Sequence, residues 1–304
     1  MLNGIIYGKT YMTTPFKTIG LIGRQRKEDI TDTLLALKHL LAQRKLATVV
    51  ETETAGYLPK DKLPIYSRDE LGKHCDLMIV VGGDGSLLNA ARAAVNHQTP
   101  VLGINRGRLG FLTDIRPSEL DNKVSEVLDG KFVEEKRFLL GIEIEQNNKA
   151  ITQDIALNDV VLTPGDVAHM IEFATSIDNE FMLNQYADGL IVATPTGSTA
   201  YALSGGGPIL HPSLAAIVMV PMFPHTLSAR PIVISAASKI TIEIASTNET
   251  APRLSCDGQA LVSVPPGARI HISKKPEQLR LIHPLDYKYF ETLRAKLHWG
   301  TKLA

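Results

Sequence analysis

The stretch of the chain best suited to chemistry is VVGGDGSLLNA, residues 80 to 90. An apolar strand pattern runs into Gly82, Gly83, Asp84 and Gly85, and a helical pattern starts near Ser86. Glycines in such a turn allow positive φ and let a ligand approach the backbone without meeting a Cβ. The helix start points N–H groups and partial positive charge at the turn, which makes Gly82, Gly83, Gly85 and Ser86 candidate phosphate-binding residues. Asp84 does not suit a plain anion site, because a carboxylate repels phosphate. It points instead to a hydroxyl or a metal ion, the bland alternative being an aspartate that bonds its own turn. Neither G-x-x-x-x-G-K-[ST] nor G-x-G-x-x-G occurs here, so the P-loop and the dinucleotide fingerprint are both absent.

Two stretches of the second half add polar groups. LNDVVL (157 to 162) sets Asn158 and Asp159 side by side in an apolar strand pattern, where an unsatisfied buried polar group costs about 1–3 kcal/mol. YADGLIVATPTGSTAYALSGGGP (186 to 208) offers Thr194, Thr196, Ser198, Thr199 and Ser204 as hydroxyl donors before the flexible Gly205 to Gly207. A long Gly/Ser/Thr loop in a compact domain is more often functional than connective. Arg24, Arg106 and Arg108 follow strand patterns and are candidate phosphate partners, with solvated surface arginines as the alternative.

These residues need elements to hold them. TIGLIG (18 to 23), ATVVET (47 to 52), DLMIVV (76 to 81) and PVLGIN (100 to 105) read as buried strands, with amphipathic helices expected over 28 to 44 and 86 to 97. Strands alternating with helices imply parallel pairing in an open Rossmann-like α/β sheet. After about residue 138 the pattern changes to short Val/Ile-rich runs between turn residues: FLLGIEIEQ, DIALNDVVLTP, HMIEFATSID, GLIVATP, AAIVMVPM, RPIVISA, KITIEIAS and ARIHISK. This predicts an all-β domain. YKYFETLRAKLHW (287 to 299) predicts a C-terminal helix that packs back on the first domain. The expected division is 17–138 with 286–304 as the α/β domain and 139–285 as the β domain.

Composition restricts the partners. The 304 residues carry 32 basic and 32 acidic side chains, which argues against nonspecific nucleic-acid binding by phosphate neutralisation. The balance is uneven along the chain, with 12 acidic against 4 basic side chains over residues 139 to 265 and 8 basic against 3 acidic over 266 to 304. An acidic β domain beside basic segments suits a neutral hydrogen-bonded ligand in one place and an anion in another. Cys75 and Cys256 show no disulfide framework or zinc spacing, and two buried thiols in a reducing cytoplasm are expected. No run reaches the ~18 apolar residues of a membrane span, and the first sixteen residues lack signal-peptide features. The first strand pattern begins only at Thr18, so Met12 is a second candidate start.

Taken in order, GGDGS (82 to 86), INRGRLGFL (104 to 112), LNDVVL (157 to 162), ADGLIVATPTGSTAY (187 to 201), SARPIVI (228 to 234) and CDGQ (256 to 259) closely resemble the NAD kinase family in its bacterial branch. GGDG alone is shared with lipid kinases and 6-phosphofructokinases, whereas the DGLIVATPTGSTAY segment is similar only to NAD kinases. The resemblance implies transfer of the γ-phosphoryl of ATP to the 2′-hydroxyl of the adenosine ribose of NAD, with Mg²⁺ or Mn²⁺, giving NADP and ADP. It implies Asp84 as proton acceptor with Gly85 beside it, and Asn158 and Asp159 as holders of the adenosine part of NAD. It implies NAD contacts from His169, Asp188 and Gln259, and from the run Thr199, Ala200, Tyr201, Ala202, Leu203 and Ser204. Tyr186 matches an NAD-contact position where many relatives carry Arg or Lys. No metal ligands follow from the motifs. The resemblance further implies a cytoplasmic homo-oligomer, a dimer or tetramer, with no membrane or nucleic-acid partner. The competing readings are a GGDG-type lipid or sugar kinase, a noncatalytic NAD-binding regulator and a nicotinamide oxidoreductase.

Overall fold

The structure, a computed structural model, describes residues 16–23, 30–58, 62–106, 110–165, 169–259 and 261–299. Arg24 and Arg108 lie outside the described residues. The chain opens with β1 (Thr18–Gly23), α1 (Thr31–Gln43), β2 (Ala47–Glu51), β3 (Ile65–Tyr66), α2 (Arg68–Leu71), β4 (Leu77–Val81), α3 (Asp84–His97), β5 (Val101–Ile104) and α4 (Leu120–Leu128). Strands then dominate: β6 (Phe132–Gln146), β7 (Lys149–Ala156), β8 (Asp159–Thr163), β9 (Ile171–Ile177), β10 (Glu180–Ala187) and β11 (Gly189–Ala193). After the short α5 (Tyr201–Ser204) come β12 (Ala216–Met222), β13 (Ile232–Ser235), β14 (Ile240–Ile244), β15 (Arg253–Cys256), β16 (Leu261–Ser263), β17 (Arg269–Pro284) and α6 (Tyr289–Leu297). Two units result, Met1–Lys136 with Leu279–Ala304, and Arg137–Gln278.

The first unit is the expected α/β domain. Its strands pair in parallel in the order β5-β4-β1-β2-β3, and Leu281 and Ile282 at the end of β17 pair in parallel beside β5. Leu34, Leu37 and Leu41 recur at helical spacing and, with Ile30 just before the helix, bury one face of α1 against Ile19, Leu21, Ile79 and Leu102. Helix α1 ends at Gln43 because Lys45 turns to φ 56°, and the Leu46 amide bonds the Leu41 carbonyl. The nine-residue α4 was not foreseen. Its Leu120, Val124, Val127 and Leu128 line a single buried stripe, too short to stand out from its polar neighbours.

The second unit stacks two antiparallel sheets. One has the order β13-β12-β11-β8-β15-β16, while the other brings β10, β9, β14 and β17 side by side. Alternation decides which side chains meet: Val160, Leu162, Leu190, Val192, Ile217 and Met219 face the core between the sheets. Their neighbours Val161, Ile191, Ala193, Val218 and Val220 point the other way, under Ala202 of α5 and Leu210. Strands β10, β15 and β16 had no clear sequence signal. The segment expected to be an open loop after Pro195 forms a 3-10 turn (Gly197–Thr199) and α5.

Candidate functional site

Strand order places the glycine-rich turn. The chain moves from β1 to β2 and β3 on one side, then crosses back so that β4 pairs with the other edge of β1. The turn after β4 therefore sits at the carboxyl end of the sheet where the winding direction reverses, the place where open α/β sheets bind ligands. Helix α3 begins at Asp84, two residues earlier than the sequence pattern indicated, with Gly83 as its extended N-cap. None of Gly82, Gly83 and Gly85 has positive φ. What Gly83 and Gly85 provide is room, since a Cβ at either would meet nothing within 4 Å. Two expected phosphate-binding amides are already committed: Gly82 N–H donates to the Ile104 carbonyl and Ser86 N–H to the Gly83 carbonyl. The amides at Asp84 and Gly85 belong to the first turn of α3, where N–H groups have no partner within the helix.

The Asp84 side chain is gripped by the segment after β5. Its Oδ2 accepts from Phe111 N at 2.8 Å, and its Oδ1 accepts from Leu112 N at 3.0 Å and Thr113 Oγ1 at 3.2 Å. Gly110 has to be glycine here, because a Cβ would overlap the Asp84 carboxylate. Asn105 ties down the same segment, donating from Nδ2 to the Thr113 carbonyl and hydroxyl. A carboxylate oxygen accepts about two hydrogen bonds, so Oδ2 can still accept one from a substrate hydroxyl. Arg106 is directed elsewhere, donating from Nη1 to Thr33 Oγ1 at 2.9 Å.

In the second unit, Asn158 and Asp159 do not share a strand interior. Asn158 occupies the bend between β7 and β8, and Asp159 opens β8. The bend is held by Asp257, whose carboxylate accepts from Leu157 N at 2.9 Å, Asn158 N at 2.6 Å and Asp159 N at 3.2 Å. Asp257 and Gly258 both have positive φ, 55° and 66°, which curls the CDGQ turn back under the bend. The role of Asp257 escaped the sequence reading, although an Asp-Gly pair after a strand is a turn signal. Burial, and then the charge of Asp257, push the Asp159 carboxyl up to about 7, against a lowering hydrogen bond from the Tyr201 amide. Asn158 Oδ1 is buried with no hydrogen-bond partner.

The hydroxyls of Thr194, Thr196, Ser198 and Thr199 each make a bond within the protein. Thr194 Oγ1 donates to the Leu157 carbonyl at 2.5 Å, Ser198 Oγ to the Pro195 carbonyl at 2.7 Å and Thr199 Oγ1 to the Thr196 carbonyl at 3.2 Å. Thr196 Oγ1 accepts from Arg137 at 3.3 Å. These bonds fold the run onto the 157–158 backbone, with Gly197 so close to the Asn158 carbonyl that a Cβ would overlap it. Thr199, Ala200 and Leu203 are half-buried, Ala202 is buried, and Tyr201 and Ser204 are exposed. His169 and Tyr186 are exposed, while Asp188 and Gln259 are half-buried. Tyr186 meets His225 edge-on with ring centroids 6.2 Å apart, beside a cavity of about 560 Å³ lined also by Gln185, Met219 and Arg230.

Comparison with known proteins agrees with this layout. The ATP-NAD kinase N-terminal domain model matches residues 19–132 and the ATP-NAD kinase C-terminal domain model matches residues 157–284. This chain belongs to the ATP-NAD kinase family. It is 57% identical over 288 residues to the NAD kinase of Pseudomonas entomophila, covering 95% of this chain and 97% of that one. It is 55% identical over 289 residues to the NAD kinase of Chromohalobacter salexigens, covering 95% and 99%. Among solved structures it resembles yeast NADH kinase complexed with NADH, with TM-score 0.86 and 25% identity over 96% of this chain and 90% of that one. The fold also matches an NAD kinase from Archaeoglobus fulgidus in complex with ATP, with TM-score 0.71 and 23% identity over 92% and 98%.

For a member of the ATP-NAD kinase family, the donor set for a metal ion is sparse. Among the described residues no three His, Cys, Asp or Glu side chains converge to hold one. A Mg²⁺ carried on substrate phosphates would need only one or two protein carboxylates, and Asp84 is the acid at the open turn. Cys75 and Cys256 form no disulfide, and burial pushes the half-buried Cys75 thiol up to about 12, so it stays protonated. No helix among the described residues is long and apolar enough to cross a membrane.

Proposed function

We propose that this chain is an NAD kinase, transferring the γ-phosphoryl of ATP to the 2′-hydroxyl of the adenosine ribose of NAD and releasing NADP and ADP. The observation that carries the reading is Asp84, placed at the first turn of α3 at the sheet's switch point with one acceptor direction left on Oδ2. Phosphoryl transfer passes through a loose transition state that rewards alignment and charge neutralisation more than early proton removal. Asp84 therefore aligns the 2′-hydroxyl and takes its proton late, when bond formation to phosphorus has made that proton acidic. The first-turn amides of α3 and the open space at Gly83 and Gly85 suit the phosphates. A divalent cation, Mg²⁺ or Mn²⁺, supplies charge neutralisation on the ATP phosphates when bound.

Asn158 and Asp159 hold the adenosine part of NAD. The unpartnered Asn158 Oδ1 supports this, since a buried acceptor without a donor gains most from a ligand N–H or O–H. Gly85, His169, Tyr186, Asp188, Gln259 and the backbone from Thr199 to Ser204 complete the NAD contacts, with Tyr186 contributing a ring in place of a charge. The enzyme acts in the cytoplasm as a homo-oligomer. The deciding experiment incubates the protein with ATP and NAD, with and without Mg²⁺, and follows NADP. Metal-dependent NADP formation is expected. Dinucleotide binding without ADP release would favour a noncatalytic regulator, and phosphorylation of a lipid or sugar but not NAD would favour the other GGDG kinases.

A further inference from the structure

A fully buried histidine far from the glycine turn in sequence is wired to it in space. His283, at the end of β17, is 0% exposed and places Nδ1 2.9 Å from Asp114 Oδ2 and Nε2 3.5 Å from Glu135 Oε2. Its ring lies flat on Tyr287, with centroids 3.8 Å apart and planes 9° apart. A neutral imidazole has one N–H, so one of the two acids would face a lone pair; the protonated ring presents an N–H to each, bonding Asp114 through Nδ1 and setting Nε2 within ion-pair range of Glu135 without a hydrogen bond. Asp114 directly follows Thr113, and the Phe111, Leu112 and Thr113 donors are the ones that hold Asp84. The other Asp114 oxygen, Oδ1, is buried without a hydrogen bond, so His283 is what compensates this charge. Lys296 of α6 adds a second anchor, 5.8 Å over the Phe111 ring.

We infer that His283 is a positioning residue for phosphoryl transfer: clamped between Asp114 and Glu135, it fixes the 110–114 segment and thereby the orientation of Asp84. Losing the ring, or its second proton, leaves Asp114 buried with uncompensated charge, and the segment shifts to relieve it. Burial alone lowers the imidazole, but Asp114 and Glu135 outweigh it and raise His283 above the usual 6.5. The positioning therefore holds while the ring is charged and fails as rising pH discharges it. Asp114, Glu135 and the Tyr287 ring are the groups that face it.

The inference rests on Asp84 as the aligning acceptor, so Asp84→Asn is measured alongside. With the full-length protein, ATP, NAD and Mg²⁺, His283→Gln is expected to lower kcat by about tenfold to a hundredfold. KM for NAD and for ATP should stay within about twofold, and the alkaline fall of kcat expected of the parent should be absent. Asp114→Asn should give the same loss, and combining it with His283→Gln should recover part of kcat because both charges go together. ¹⁵N NMR of labelled histidine should show both ring nitrogens of His283 protonated at neutral pH. Parental kcat and pH profile in a folded His283→Gln protein, equal rises in KM and falls in kcat, or a neutral ring would each overturn the inference. Should His283→Gln not fold, Asp114→Asn and the NMR measurement decide. An active Asp84→Asn would sink the acceptor reading itself, whereas an inactive Asp84→Asn beside a normal His283→Gln would sink only the positioning role.

Discussion

Asp84 meets three donors before any substrate arrives, and this shapes what its substitution does. An asparagine cannot accept from both oxygens, so Asp84→Asn loses the base and sets one N–H against another at Phe111 or Leu112. Turnover is expected to fall by about 10²–10⁴-fold, within the range for a lost acid–base group, while calorimetry should still detect NAD binding. Asp159 carries a different signature. Its carboxyl, pushed up to about 7, becomes ionised as the pH rises through neutrality. An ionised Asp159 is the better acceptor for a ribose hydroxyl, so the NAD concentration at half-saturation should fall with rising pH, and Asp159→Asn should flatten that dependence. The stability effect has the opposite sense. The folded state retains this proton where the unfolded chain, with its acid near 3.8, does not. Stability from Asp159 is complete below about 3.8 and is lost as pH climbs towards 7. Thermal melts should therefore show Asp159→Asn gaining more over the parent at pH 8 than at pH 5.

At the scale of elements, the strand-turn-helix of β4 and α3 was readable from periodicity and glycines, and it formed. The reason for the glycines differed, being open space at Gly83 and Gly85 instead of positive φ. The GSTAY run shows the same divide. Its composition marked it as special, yet Thr194, Ser198 and Thr199 use their protons on backbone carbonyls to bring Gly197 against Asn158. Hydroxyl composition cannot distinguish a donor aimed at a ligand from one that closes its own turn. Gly197→Ala tests that contact: overpacking should cost about 1–3 kcal/mol, seen as a lowered Tm, and should weaken NAD binding because Asn158 is displaced with its backbone. The Asp257 turn belongs here too, since it orders residues 157 to 159 through three amides.

Over the whole molecule, the zero net charge has a solution consequence. With a pI near 7.1 the chain carries little net repulsion at neutral pH, while its acidic stretch 139–265 and basic stretch 266–304 remain charged. Charge-neutral proteins associate most readily, so light scattering should rise towards pH 7 and fall at pH 8.5, with added salt weakening the association. The two-part architecture follows from the change in period near residue 138, and the unit boundaries fall at Lys136 and Gln278. The return of the chain to the first unit at Leu279 supplies Ile282 to its core and His283 to the Asp114 pair.

By itself the amino-acid sequence determined the order of α/β and β regions, the turn that holds Asp84, the Asn158-Asp159 pair and the family. All of these are encoded in contiguous residues, through hydrophobic period and local backbone freedom. Only the tertiary structure decided which edge of β1 would receive β4, and so that the glycine turn lies at the switch point. It alone joined Asp84 to donors 27 to 29 residues away, Leu157 to Asp257 across 100 residues and His283 to Asp114 across 169. Such pairings arise when packing brings distant segments together, and no local propensity records them.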